Sequence, residues 1–119
     1  MLEITRENQG ALVILSIAGQ LDATTAPELD AALMSASDAG SRYMVLNCTR
    51  LTYVSSAGLR ILLKVYKQLK PTNGVLALTA LQPHIREIFE LTGFTNLFSI
   101  HMTQEAAIRA LTPPTNLLP

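Results

Sequence analysis

The chain has 119 residues, of which 49% are hydrophobic and 15% charged, with nine basic residues balancing nine acidic ones. That is one domain's length with enough apolar material to build a core, which argues against disorder. A net charge of zero gives no electrostatic footprint for a nucleic acid or an anionic membrane surface. The one cysteine, Cys48, has no intrachain partner and lies in an apolar stretch. It reads as a small buried hydrophobe in a reducing compartment. The N-terminus lacks the basic start and apolar run of a signal peptide. The longest apolar run, Ala11 to Ala18, is far short of a membrane span. These features predict a cytoplasmic protein without membrane insertion.

Leu2 to Thr5 alternates apolar and polar, the period of a half-buried strand. Asn8-Gln9-Gly10 signals a turn, and Leu12 to Ile17 is rich in β-branched residues, so the pair predicts an opening β-hairpin. Gly19-Gln20-Leu21-Asp22 ends the second strand, with Asp22 expected to organise the turn into the first helix. Thr25-Ala26-Pro27-Glu28 has the form of a capping box, with the Thr25 hydroxyl on the Glu28 backbone and the Glu28 carboxylate reaching back. Leu29, Ala32, Leu33 and Ala36 continue as one helical stripe, Asp30 faces solvent, and Gly40 ends the helix.

Tyr43 to Cys48 is the nearly continuous apolar run of a central strand. A loop over 51–55 follows. Leu59, Leu62, Leu63, Tyr66 and Leu69 then mark a second helix, broken by Pro71 and Gly74. Val75 to Leu78 is a further buried strand. Pro83 opens a third helix with Ile85, Ile88 and Phe89 inward, closed by Gly93. Leu97 to Ile100 is a short last strand, and Thr103 caps a final helix carrying Ala107, Ile108 and Leu111. The order β-β-α-β-α-β-α-β-α predicts an α/β domain over residues 1–112, with a mostly parallel sheet and about four helices. Pro113-Pro114 stops the last helix, and 113–119 reads as a flexible tail.

No catalytic constellation assembles. His84 and His101 are the only histidines and read as surface or capping residues. Two histidines and one cysteine without short spacing make no zinc site. There is no Gly-rich phosphate loop, and Ser55-Ser56-Ala57-Gly58 lacks the glycine of a nucleophile elbow. The expectation is a protein-binding module, with no enzyme activity, cofactor or metal.

The stretch Tyr53-Val54-Ser55-Ser56-Ala57-Gly58-Leu59-Arg60 carries the message. Ser55 or Ser56 suits a helix N-cap, and Gly58 permits close packing against the first turn. A serine here also suits phosphorylation, because a phosphate at a helix N-terminus meets free N–H groups and the positive end of the dipole. Arg60, Lys64 and Lys67 fall on one helical face, either solvated or a basic rim that steers an acidic partner.

The chain resembles STAS domains of the bacterial anti-sigma factor antagonist type from Leu2 to about Leu111. The resemblance rests on Gly19-Gln20-Leu21-Asp22, on Val45-Leu46-Asn47-Cys48 and above all on Ser55-Ser56-Ala57-Gly58-Leu59-Arg60. In the family the last stretch reads roughly Asp-Ser-Ser/Ala-Gly-Leu, with the first serine phosphorylated. Ser56 falls on that acceptor. Ser55 stands in place of the usual Asp, and Asn47 in place of an Asp often found at the end of the third strand. Two adjacent serines result, with Ser55 the alternative acceptor. The resemblance implies a monomeric partner switch. Unphosphorylated, the domain binds an anti-sigma factor that is also its serine kinase, and a sigma factor is freed. Phosphorylation breaks the complex, and a PP2C-type phosphatase resets it. The implied partner surface comprises Asp22, Thr24, Thr25, Tyr53, Ser55, Ser56, Ala57, Gly58, Leu59, Arg60 and Lys64. The same resemblance admits a second role, as a constitutive regulatory subunit of a lipid or anion transport complex.

Overall fold

Alternating side chains set the two faces of the sheet from the first strand onward. The computed structural model describes residues 2–111. The predicted 113–119 tail therefore lies outside the described residues. Strand β1 (Leu2–Gln9) pairs antiparallel with β2 (Leu12–Leu21) around Gly10, whose φ of +64° is the left-handed conformation that a tight turn needs. Strand β1 outruns the Leu2–Thr5 stretch read from sequence, while β2 ends at Leu21, inside the predicted Gly19–Asp22 end.

Helix α1 (Ala26–Asp38) crosses to β3 (Tyr43–Val54), α2 (Ser56–Leu69) to β4 (Val75–Thr79), and α3 (Pro83–Leu91) to β5 (Ser99–His101). Helix α4 (Gln104–Leu111) follows. The sheet order is β1-β2-β3-β4-β5, with β2 to β5 mutually parallel. Single 3-10 turns at Lys70–Thr72 and Phe94–Asn96 follow α2 and α3.

The larger core lies under α1, α2 and α3. Val13, Leu15 and Ile17 of β2, Met44 and Leu46 of β3, and Leu76 and Leu78 of β4 meet Leu29, Leu33, Leu62, Val65, Ile85 and Phe89 there. The alternate residues Leu12, Ile14, Val45 and Ala77 face the other way and meet Ala107 of α4. Cys48 is buried as expected, and loss of solvation pushes its thiol up to about 12.

Two sequence expectations are corrected. The segment 51–54 belongs to β3, with Leu51 and Val54 buried, so only Ser55 separates strand from helix. Register shifts between β2 and β3, at Ser16/Ala18 and Gly19/Gln20, hide this extension by interrupting the period of two. The last strand is Ser99–His101, because Phe94–Asn96 coils as a 3-10 turn and Phe98 turns into the core.

Candidate functional site

Parallel strands β2 and β3 deliver their C-terminal ends side by side. The Ser55 N–H donates to the Leu21 carbonyl at 2.9 Å, which ties the start of α2 to the end of β2. The 22–25 turn and the first turn of α2 thus form one surface.

Asp22 organises its turn as the sequence predicts. One carboxylate oxygen, Oδ1, accepts from the N–H groups of Thr24 at 3.0 Å and Thr25 at 3.1 Å. These bonds, Thr25's first, hold the Asp22 carboxyl below its ordinary value of 3.8. The capping box does not form. Thr25 sits at the N-cap with helical dihedrals, φ −99° and ψ −17°, and makes no side-chain cap bond. Its buried hydroxyl instead donates to the Gln20 carbonyl at 2.8 Å and accepts from the Asp22 N–H at 2.9 Å. A partner in β2 thereby outcompetes the local cap.

The two serines are separated by role. Ser55 is the N-cap of α2, extended at φ −94° and ψ 173°, and its Oγ accepts from the Gly58 N–H at 3.3 Å. Ser56 is the first helical residue and is exposed. Gly58 is buried against Leu21, where an added Cβ would lie 2.7 Å from the leucine Cγ. Ala57 and Leu59 are half-buried, while Tyr53, the penultimate residue of β3, is 49% exposed.

The basic face divides. Lys64 pairs with Asp30 at 2.7 Å across α1 and α2. Asp30 is therefore engaged, contrary to the solvated position expected of it. One of its carboxylate oxygens, Oδ1, is buried without a hydrogen-bond partner. Arg60 is exposed and makes no ion pair or side-chain hydrogen bond among the described residues.

Other polar residues act structurally. The Asn47 carboxamide donates to Gln104 at 2.8 Å and accepts from the Thr49 hydroxyl at 2.7 Å, joining α4 to the sheet, a role the sequence did not reveal. His84 donates from Nε2 to the Thr52 carbonyl at 2.9 Å, and His101 bonds Ser99 at 2.6 Å. Among the described residues, no three His, Cys, Asp or Glu side chains gather as metal ligands, and no helix is long and apolar enough to cross a membrane. A groove of about 320 Å³ bordered by Glu3, Ser16, Asn47 and Arg50 opens elsewhere, and none of the residues around the serines lines it.

A family model described as STAS domain matches residues 3–107. The chain is 39% identical over 109 residues to BtrV of Bordetella bronchiseptica, described as a candidate anti-sigma factor antagonist, covering 92% of this chain and 94% of that protein. It is 27% identical over 100 residues to the anti-sigma-B factor antagonist of Staphylococcus aureus, covering 84% of this chain and 93% of that one. The crystal structure of an anti-sigma factor antagonist from Mycobacterium paratuberculosis superposes with a TM-score of 0.85 at 25% identity, covering 93% of this chain and 94% of that one.

Proposed function

The chain belongs to the STAS domain family, and from that membership we propose that it is an anti-sigma factor antagonist switched by phosphorylation of Ser56. Unmodified, it binds an anti-sigma factor through the surface shared by the 22–25 turn, Tyr53 and the first turns of α2, and a sigma factor is released. The anti-sigma factor acts as a serine kinase, and the domain is its substrate. The γ-phosphorus of ATP bonds to the Ser56 Oγ, its bond to ADP breaks, and the hydroxyl proton passes to a base of the kinase. A PP2C-type phosphatase hydrolyses the ester and restores the hydroxyl.

The observation that carries this reading is the exposed Ser56 hydroxyl at the first position of α2, beside a serine already committed as the cap. Modification at Ser56 leaves the Ser55 Oγ cap untouched, whereas modification at Ser55 esterifies the capping oxygen itself. A phosphate brings about −1.5 to −2 charges to the surface a partner reads, on a scaffold that stays folded.

Peptide mass spectrometry on protein from its native host, purified under phosphatase inhibition, tests the reading. Trypsin releases Leu51 to Arg60 with both serines. A phosphate on Ser56 is the expected result. A phosphate on Ser55 moves the acceptor by one residue. A peptide unmodified under all growth and stress conditions removes the switch and favours the constitutive transport-subunit role.

A further inference from the structure

We propose that Arg60 is the internal counter-ion of a phosphate on Ser56. One guanidinium then serves two partners in turn: an acidic group of the bound protein before modification, and the domain's own phosphate after it. The inference rests on the reading of Ser56 as the acceptor.

Ser56 and Arg60 are four residues apart on α2, and both are exposed. Side chains at that spacing lie about 5–6 Å apart at Cβ. Every Cα–Cβ bond tilts toward the helix N-terminus, so the long arginine side chain leans back over the first turn. An anion N-terminal to a cation is also the more favourable order for such a pair.

Independent observations single out this arginine. Arg60 has no ion pair or side-chain hydrogen bond among the described residues, whereas Lys64, one turn further on, is held by Asp30 at 2.7 Å. The first turn of α2 carries no acidic residue, while α1 has Glu28 and α4 has Glu105. A phosphate on Ser56 is thus the first anion that this helix start receives. Ser55 has Leu59 at the equivalent spacing, so a phosphate there gains no such partner.

The consequence is a change at two points from one modification. The phosphate adds negative charge where the partner docks and withdraws the arginine that the partner's acidic group had used. The local charge falls by about 1.5 to 2. The phosphorylated helix gains a counter-ion instead of a bare dianion.

The test is a 31P NMR titration of the domain with phosphoserine installed at position 56 during synthesis, compared with the same protein carrying Arg60→Gln. The second ionisation of the phosphate, near pH 6, is expected about half a unit higher in R60Q, and the gap narrows in high salt. Asp22, the charged group of the adjoining turn, is common to both proteins. Lys64→Gln leaves the midpoint within about 0.1 unit of the parent, because its amine is committed elsewhere. Coincident midpoints for the parent and R60Q, with unchanged circular dichroism, overturn the role of Arg60. A shift of equal size in K64Q overturns it too, because the effect is then not specific to Arg60. Since no kinase is involved, either result leaves the switch at Ser56 to be judged by phosphate mapping.

Discussion

Gly58 lies so close to Leu21 that a Cβ on the glycine would sit 3.0 Å from the leucine carbonyl oxygen and nearer still to its side chain. The same carbonyl accepts the Ser55 N–H. Leu21 therefore fixes the start of α2 from both its backbone and its side chain, and α2 carries the serines at a set height above the sheet.

Gly58→Ala should lower stability despite the better helix propensity of alanine. Overpacking costs about 1–3 kcal/mol, against about 1 kcal/mol gained in propensity. Urea unfolding should show a net loss of up to about 2 kcal/mol, about 1 kcal/mol at the middle of that range. A variant as stable as the parent would mean that the helix start can slide away from β2.

The two serines should separate cleanly. Ser55→Ala removes the N-cap and should cost about 1 kcal/mol, while Ser56→Ala, at an exposed position, should stay within about 0.5 kcal/mol. Only Ser56→Ala should abolish phosphate incorporation by the cognate kinase. Incorporation that persists in S56A and disappears in S55A would transfer the switch to the cap residue.

Asp22 should contribute to acid sensitivity. Its folded carboxyl titrates below 3.8, so in acid the unfolded chain binds more protons than the folded one. The contribution is therefore fully present above the unfolded value and is lost as pH falls through the folded one. Asp22→Asn keeps an acceptor oxygen without the charge and should flatten the acid limb of a stability-against-pH curve. An unchanged limb would show that the turn bonds do not depend on ionisation.

The Asp30–Lys64 pair should be worth little in isolation. Its side chains are 22% and 46% exposed, and such pairs measure about 0–1 kcal/mol. A double-mutant cycle with Asp30→Asn and Lys64→Met should give a coupling in that range that shrinks with salt. A larger, salt-insensitive coupling would point to desolvation around the unpartnered Asp30 oxygen.

Cys48 should report unfolding. A buried thiol titrating near 12 presents almost no thiolate at mildly alkaline pH, so a thiol reagent should label the native domain only through opening. Labelling as fast as in denaturant would place Cys48 at the surface.

The element order, the hairpin and the buried runs were legible because strand and helix periods leave them in the residues themselves. What escaped depends on partners distant in the chain. Thr25 and Glu28 match a local cap, yet the Thr25 hydroxyl finds Gln20 and Asp22 instead. The segment 51–55 reads as a loop because the register shifts opposite Ala18 and Gly19 break the alternation of β3. Lys64 looked free for a partner because nothing in the spacing of α2 reveals that α1 brings Asp30 to it. Ser56 stands out in the sequence by its motif alone, whereas the cap role of Ser55 is visible only in the geometry of the helix start.

The strands stand in the sheet in the order in which they occur in the chain. Assembly can therefore be vectorial: each new strand adds to the edge left by the one before it, with no gap held open for a later arrival. The turn after β2 and the first turn of α2 both come from the early part of the chain, ahead of β4 and β5. On a ribosome, the surface that carries Ser56 can form while the last strands are still being made.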